Sequence, residues 1–279
     1  MSGLKLEYLV PSADLQPFVG LFYRFSSPTD VDELERAQRA QLRFRIAGGQ
    51  TRYAFPDDVV QEAPTIHLIG PTTGPTRVTV EGPVVAFGMG LEAAGWAVLL
   101  GSDASSLVNR CVDATTLFGD GPAEALVGLR NARSLAQMVT AVEPWLRRRL
   151  EAKHGATLGF VRAVDAWLAE RASPALSDLI EATGLSRRQI ERRCNALYGA
   201  PPKLLARKTR ALRAAVTIAN GGEPELDVFY DQSHMIREVK HFTGRTPGQM
   251  REEPGHLAQL TIHHRLALEG QVAPLVSRT

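Results

Sequence analysis

Cysteine is scarce in this chain: Cys111 and Cys194 are the two in 279 residues, and they lie far apart. Neither has a second thiol or a histidine beside it at metal-ligand spacing, so neither a disulfide framework nor a zinc site is built. Both are expected to be small buried apolar residues. No apolar run approaches the length of about 18 residues that a membrane-spanning helix requires. The N-terminus, MSGLKLEYLVPSADLQP, lacks the charged-then-apolar pattern of a secretory signal. These absences predict a cytoplasmic protein with no membrane partner.

Catalytic signatures are missing as well. There is no Gly-x-Ser-x-Gly elbow and no paired-histidine spacing. His67 in TIHLIGP is expected to be a strand residue with a satisfied hydrogen bond. His263 and His264 are adjacent, so they diverge on a helix and face opposite sides of a strand; both are expected at the surface. No catalytic residue, metal ligand or cofactor is assigned on this reading.

Net charge is small, +2 at pH 7, but its distribution is uneven. Residues 176–251 hold 13 Lys and Arg against 8 Asp and Glu, and the rest of the chain holds 19 against 22. Residues 187–213 carry nine basic side chains, with Glu191 as the lone acid. That density suits phosphate contacts, although a solvated helical face produces it equally well.

The length allows two domains, each with its own core, and 44% apolar residues fit a globular chain. Residues 17–88 alternate short apolar runs (FVGLFYRF, AQLRFRIAG, TRYAFP, TIHLIGP, TRVTVEG, PVVAFGM) with Gly and Pro, the texture of a β-sandwich or barrel whose mouth could take a small ligand. Phe22, Tyr23, Phe44, Tyr53 and Phe55 are expected in its core, and Trp96 as a packing anchor. From Leu91 the periodicity is helical, through LEAAGWAVLLG, SSLVNR, GPAEALVGL and a long stretch from Ala132 to about Lys153. Such helices pack on their own barrel or form a dimer seam. A polar interruption at HGATL (154–158) places a boundary near residue 155. The resulting class is α+β: a β-rich barrel-like sensor domain with helices (1–155), an all-α domain (156–252), and a tail (253–279) whose HLAQLTIHHRLAL fits a strand or a loose helix.

In ALSDLIEATGLSRRQIERRCNALYGAPP, Leu176, Leu179 and Ile180 line one face of a short helix, Gly184 permits a left-handed turn, and Ser186 can cap the next helix. This is a helix-turn-helix outline. Ile190, Cys194 and Leu197 form the buried face of the second helix, which turns Arg187, Arg188, Gln189, Glu191, Arg192 and Asn195 outward. Those side chains match base edges: Arg bridges guanine O6 and N7, Gln or Asn pairs with adenine, and Glu accepts from cytosine. KLLARKTRALRAAVTIA (203–219) reads as one helix with an outward row of Lys203, Arg207, Lys208, Arg210 and Arg213, placed to contact phosphates or cap acids.

The segment GLSRRQIERRCNALYGAPPKLLARKTRALRAA followed by FYDQSHMIREVKHFTGRTPGQMR resembles the AraC/XylS family of transcription regulators. The resemblance covers the last third of the chain, through Gly184, Leu185, Ser186, Arg188, Ile190, Arg192, Gly199, Pro202, Arg207, Arg210 and Ala214, and then Phe229, Asp231, Gln232, Ser233, His234, Arg237, Lys240, Gly244, Thr246 and Pro247. It implies two helix-turn-helix units joined by a long helix and binding double-stranded DNA. The family's base-reading positions fall on Arg188, Glu191 and Arg192 in the first unit, and on Gln232, Ser233, Ile236 and Arg237 in the second. It leaves room for a small-molecule effector, for RNA polymerase as a partner and for a homodimer. One departure stands out: the stretch NGGEPELDVFYD (220–231) is shorter than the family's, and Val228 stands where the family has a turn glycine. The second unit is therefore expected to be degenerate, with Asp231 as N-cap and Met235, Val239 and Phe242 as its buried face.

Two rival readings remain: a protein-interaction module that has lost DNA, and an enzyme built on the β block. Alkyl transfer to cysteine, known in repair modules fused to this type of domain, finds no support, since Cys194 falls on a buried helix face and Cys111 has no flanking Pro-Cys motif.

Overall fold

A computed structural model describes residues 3–150, 155–252 and 255–279. Among them, the first β run forms a six-stranded antiparallel sheet and a four-stranded one. The strands in chain order are β1 (Lys5–Leu9), β2 (Val19–Ser27), β3 (Val31–Glu35), β4 (Gln41–Ala47), β5 (Thr51–Ala54), β6 (Val60–Glu62), β7 (Ile66–Ile69), β8 (Thr76–Val80), β9 (Val84–Leu91) and β10 (Cys111–Asp113). The larger sheet runs β1-β2-β9-β4-β7-β10 and the smaller β3-β8-β5-β6.

Alternation along β4 explains the layers. Leu42 and Phe44 point to one face of the large sheet, where Phe22, Leu68, Phe87 and Met89 join them in the main core. Period-two geometry then sends Arg43 and Arg45 to the opposite face, toward the small sheet. The main core is covered by α1 (Ala93–Leu99), α2 (Ala114–Phe118), α3 (Gly121–Asn131) and α4 (Leu135–Leu150), through Trp96, Phe118, Leu129, Met138, Val142 and Leu146. Trp96 is the anchor expected of it, with its indole N–H donated to Ser102 O at 2.8 Å. Between the sheets, Val31, Phe55, Val78 and Val80 make a second apolar cluster that includes Cys111.

The C-terminal part is helical: α5 (Gly155–Glu170), α6 (Leu176–Thr183), α7 (Arg187–Tyr198), α8 (Pro202–Ala219), α9 (Gln232–Thr243) and α10 (Pro247–Glu252). The chain is already helical at Gly155, so most of the interruption read at 154–158 is absent; residues 151–154 lie outside the described residues. Phe160, Val164 and Trp167 of α5 pack with Leu179, Ile190 and Cys194 in one core, and Ala214, Ala215 and Ile218 of α8 pack with Met235 and Val239 of α9 in another. Both thiols are buried, and burial raises each to about 12.

Of the two forms that HLAQLTIHHRLAL fits, strand or loose helix, the tail takes the helix. It forms α11 (His256–Leu266) and α12 (Pro274–Ser277), and it joins the two parts of the chain. Leu275 enters the α5–α7 core, while Val276 packs against Leu21 of β2. His263 is exposed as expected, whereas His264 is half-buried edge-on to Tyr8, because helical spacing turns it toward β1.

Candidate nucleic-acid interface and the cavity behind it

The turn between α6 and α7 is built by local chemistry. Gly184 ends α6 at φ 63°, a left-handed conformation that costs a side chain about 1 kcal/mol or more. Ser186 then caps α7 in a reciprocal capping box: Gln189 N donates to Ser186 Oγ at 3.4 Å, and Ser186 N donates to Gln189 Oε1 at 2.9 Å. With Ile190 and Cys194 fully buried, the helix presents Arg187, Arg188, Gln189 and Arg192 to solvent. Glu191 is half-buried and accepts from Arg187 Nε at 2.9 Å, an exposed pair worth under about 1 kcal/mol.

The segment 220–231 contains no helix, so α9 lacks the supporting helix of a complete helix-turn-helix. Asp231 nevertheless caps α9, its carboxylate accepting from His234 N at 2.6 Å. Gln232, Ser233 and Arg237 are exposed and Ile236 is half-buried against the α8–α9 core. In place of the supporting helix, α9 is tied to α8. Glu238, missed in the sequence, accepts from Arg207 Nε at 3.0 Å and Nη2 at 2.7 Å, with Arg210 Nη2 at 3.9 Å.

The outward basic row read along α8 therefore needs correction. Lys203 is exposed, but Arg207 and Arg210 turn to Glu238, and Arg213 donates to Ala169 O and Arg171 O. Lys208 points the other way, donating to Gln38 O at 2.8 Å and Thr72 O at 3.0 Å in the β-rich part. Burial, followed by the charges of Arg39 and Arg36, brings its ammonium down to about 7. Helical periodicity marks two faces of α8 but does not say that a second domain covers the polar one.

The same β-rich loops meet the C-terminal ends of both exposed helices. Gly199 closes α7 at φ 71° against Pro71 and Val108, and Gly244 closes α9 at φ 78° against Leu34 and Pro75. Ala37 N donates to Phe242 O at 2.7 Å. The β-rich part thus holds α7, α8 and α9 from behind, opposite the ends that carry the exposed polar side chains.

A cavity of about 140 Å³ opens between the sheets and is closed by α11. Tyr23 and Tyr53, expected in the core, line it together with Arg43 and His67. Arg43 donates to Tyr23 Oη at 2.8 Å, to Tyr53 Oη at 3.0 Å and to both Glu35 oxygens at 2.9 and 3.1 Å. Burial disfavours its charge, and Glu35 together with Tyr23 and Tyr53 more than restores it. Pro64 O can only accept, so His67 Nδ1 donates to it at 2.8 Å and Nε2 accepts from Tyr53 Oη at 3.0 Å. Burial and then the Arg43 charge bring His67 down to about 3, which keeps the imidazole neutral. His67 is satisfied, as its strand position suggested. The chain of contacts continues outward, since Gln38 Nε2 donates to Glu35 Oε2 at 2.7 Å while Gln38 O receives Lys208.

No group of three His, Cys, Asp or Glu that could hold a metal occurs among the described residues, and no helix among them is long and apolar enough to cross a membrane.

Against known proteins, a family profile described as a domain of unknown function (DUF6597) matches residues 7–113, the β-rich part. No curated protein matches the sequence. Among solved structures, the chain is similar to ToxT from Vibrio cholerae, at 11% identity over 84% of this chain and 98% of that one, with a TM-score of 0.46. It is similar to the AraC-like transcriptional activator CuxR at 14% identity, over 79% of this chain and 83% of that one, TM-score 0.37. It is also similar to a cupin domain from Bordetella pertussis Tohama I at 9% identity, over 32% of this chain and 94% of that one, TM-score 0.25.

Proposed function

We propose that the protein is a sequence-specific DNA-binding transcription regulator of the AraC type, divided into a sensor domain (1–155), a DNA-binding domain (156–252) and a tail (253–279) that bridges them. The observation that carries this reading is α7: a doubly bonded N-cap, a left-handed glycine turn before it, and Arg187, Arg188, Gln189 and Arg192 exposed together. A helix so presented fits a major groove, where Arg188 and Arg192 read guanine edges and Glu191 accepts from cytosine. Gln232, Ser233 and Arg237 of α9 are the second reading set, with Ile236 at its edge. Lys203 supplies phosphate contact. The cavity between the sheets is the effector site, and its occupancy shifts DNA affinity only by the ligand's differential affinity for the two states.

Fluorescence anisotropy with DNA from upstream of the protein's own gene, against random DNA over a salt series, tests this. Tight, salt-sensitive binding that prefers the upstream fragment and collapses in Arg188→Ala/Arg192→Ala supports the assignment. Equal losses on both DNAs remove the base-reading role, and no binding to either at low salt, with or without a cavity ligand, removes the regulator role.

A further inference from the structure

Strand β9 carries Phe87 and Met89 into the main core, so Gly88 and Gly90 lie on its other face, toward the small sheet and the helical part. Neither puts a side chain there. In the sheet Gly88 stands between Tyr23 of β2 and Arg43 of β4, and Gly90 stands opposite Gln41 of β4. A Cβ at Gly88 would lie 2.3 Å from Tyr23 Oη, and one at Gly90 would touch Gln41 Nε2 at 3.4 Å. The two glycines leave a bare floor over which the polar ends of Tyr23 and Gln41 lie. Both side chains line the cavity between the sheets and also a second one, about 100 Å³, between the β-rich and helical parts.

Gln41 is 4% exposed, yet its carboxamide has no hydrogen-bond partner among the described residues. An amide left so is disfavoured by burial, and a partner inside the cavity would recover that loss. Beside it, Tyr23 Oη accepts from Arg43 Nε at 2.8 Å, while its own hydrogen has no acceptor among the described residues. Burial pushes the phenol up to about 12, so that hydrogen stays in place at neutral pH. The charges around the cavity are already engaged. Arg43 meets Glu35 and two tyrosines, Arg45 donates to Gly49 O at 2.8 Å, and Arg36 and Arg265 both donate to the main-chain oxygen of Thr279. The hydrogen bonding left over is uncharged.

A glutamine side chain presents an N–H and a C=O side by side in one plane. A primary carboxamide or a lactam presents the same pair, so two reciprocal hydrogen bonds can close between them. An open-chain secondary amide holds its N–H and C=O trans and reaches only one of the two. A carboxylate has no donor for Gln41 Oε1. The walls of the larger cavity are otherwise apolar, including Leu6, Val80, Leu257 and Ile262. A cavity of roughly 150 Å³ accommodates benzene, so the space suits one small ring.

We propose that Gln41 is the receptor for an uncharged ligand bearing a lactam or primary carboxamide, paired to it through two reciprocal hydrogen bonds, with the ligand's apolar body against the barrel wall. This names the ligand class of the effector site proposed above, and it rests on the regulator reading only for its consequence at DNA.

Calorimetric titration of the full chain with ε-caprolactam tests the assignment against two compounds with the same number of non-hydrogen atoms. Cycloheptanone keeps the ring and carbonyl but lacks the N–H, and hexanoate brings acceptors and a charge without a donor. The lactam should bind saturably at one site, about tenfold or more tighter than either, because each control leaves Gln41 Oε1 unpaired. Gln41→Met should bring the lactam down to the affinity of the ketone. In the ligand-free chain this variant should unfold at the same urea midpoint as wild type or a higher one, since it removes an unpaired buried amide. Absence of lactam binding, equal affinity for the ketone, tighter binding of hexanoate, a preference retained in Gln41→Met, or a lower urea midpoint in that variant overturns the proposal. The three-ligand comparison in wild type needs no variant to fold. DNA binding measured separately keeps the two readings apart: its failure with lactam binding intact strikes the regulator role, and the reverse strikes the receptor.

Discussion

Replacing Glu238 by Ala should loosen α9 without disturbing α7. Glu238 has 7% of its side chain exposed and sits between Arg207, 37% exposed, and Arg210, 12% exposed. Removing one partner of a fully buried pair costs about 3–5 kcal/mol, and an exposed pair is worth under about 1 kcal/mol. Arg207 can rehydrate while Arg210 stays enclosed over the Phe229 ring, which places the cost between those limits, at about 2–3 kcal/mol. Since no helix supports α9 from the 220–231 segment, this loss falls on its docking to α8. Native-state hydrogen exchange reads it directly: α9 amides should exchange roughly 30- to 150-fold faster, at a factor of ten for each 1.4 kcal/mol, while α7 amides, in a separate core, keep their rates. The effect has a pH signature. Burial raises the Glu238 carboxyl, but Arg207, joined by His234 and Arg210, outweighs this and holds it below the ordinary 4.5. A depressed carboxyl contributes stability above its unfolded value and loses it as pH falls through the folded value. Wild type and variant should therefore converge below pH 4.5. Unchanged α9 exchange, or equal acceleration in α7 and α9, would refute the reasoning.

At the first turn, Gly184→Ala should destabilise the α6–α7 unit by about 1 kcal/mol, read by denaturant unfolding, because the left-handed backbone rather than crowding opposes the methyl group. Lys203→Ala should reduce the salt slope of DNA binding by about 1, whereas Lys208→Met should leave it unchanged, because Lys208 is engaged with Gln38 and Thr72. A slope reduced equally by both variants counts against that distinction. Lys208 also predicts a rise in stability with pH: its folded value, about 7, lies below the unfolded 10.5, so the unfolded chain holds more protons in that window. Urea midpoints should climb between pH 7 and 10 in wild type and climb less in Lys208→Met.

Much of this organisation is written in local pattern. The strands from FVGLFYRF to PVVAFGM, the glycine turn at Gly184, the cap at Ser186 and the buried face Ile190–Cys194 follow from periodicity and from residues with distinctive backbone or hydrogen-bonding chemistry, and the structure carries each of them. The shortened segment before α9 was equally legible, because a stretch with Pro224 and two glycines at 221 and 222 leaves too few residues for a helix. Three features were not. The inward side of Arg43 depended on which face of the large sheet the helices covered; the alternation in QLRFRIA separates Leu42 and Phe44 from Arg43 but does not say that the arginine face is also enclosed. Tyr23 and Tyr53 are buried as expected, and for the same reason they also line the cavity. The tail, with little amphipathic pattern, forms α11 and α12 because neighbours distant in sequence supply its apolar contacts.

By itself, then, the sequence determined the two textures of the chain, the first helix pair and the exposed side chains along α7, since each depends on residues within a few positions of one another. The tertiary structure alone decided where the charges of α8 go. Lys208, Arg207, Arg210 and Arg213 look equivalent along a helix, yet the β-rich part supplies carbonyls for the first, Glu238 lies within reach of the next two, and Ala169 of α5 and Arg171 just beyond it supply carbonyls for the last. A cation's role is set by the partner that lies opposite, and that partner comes from elsewhere in the chain.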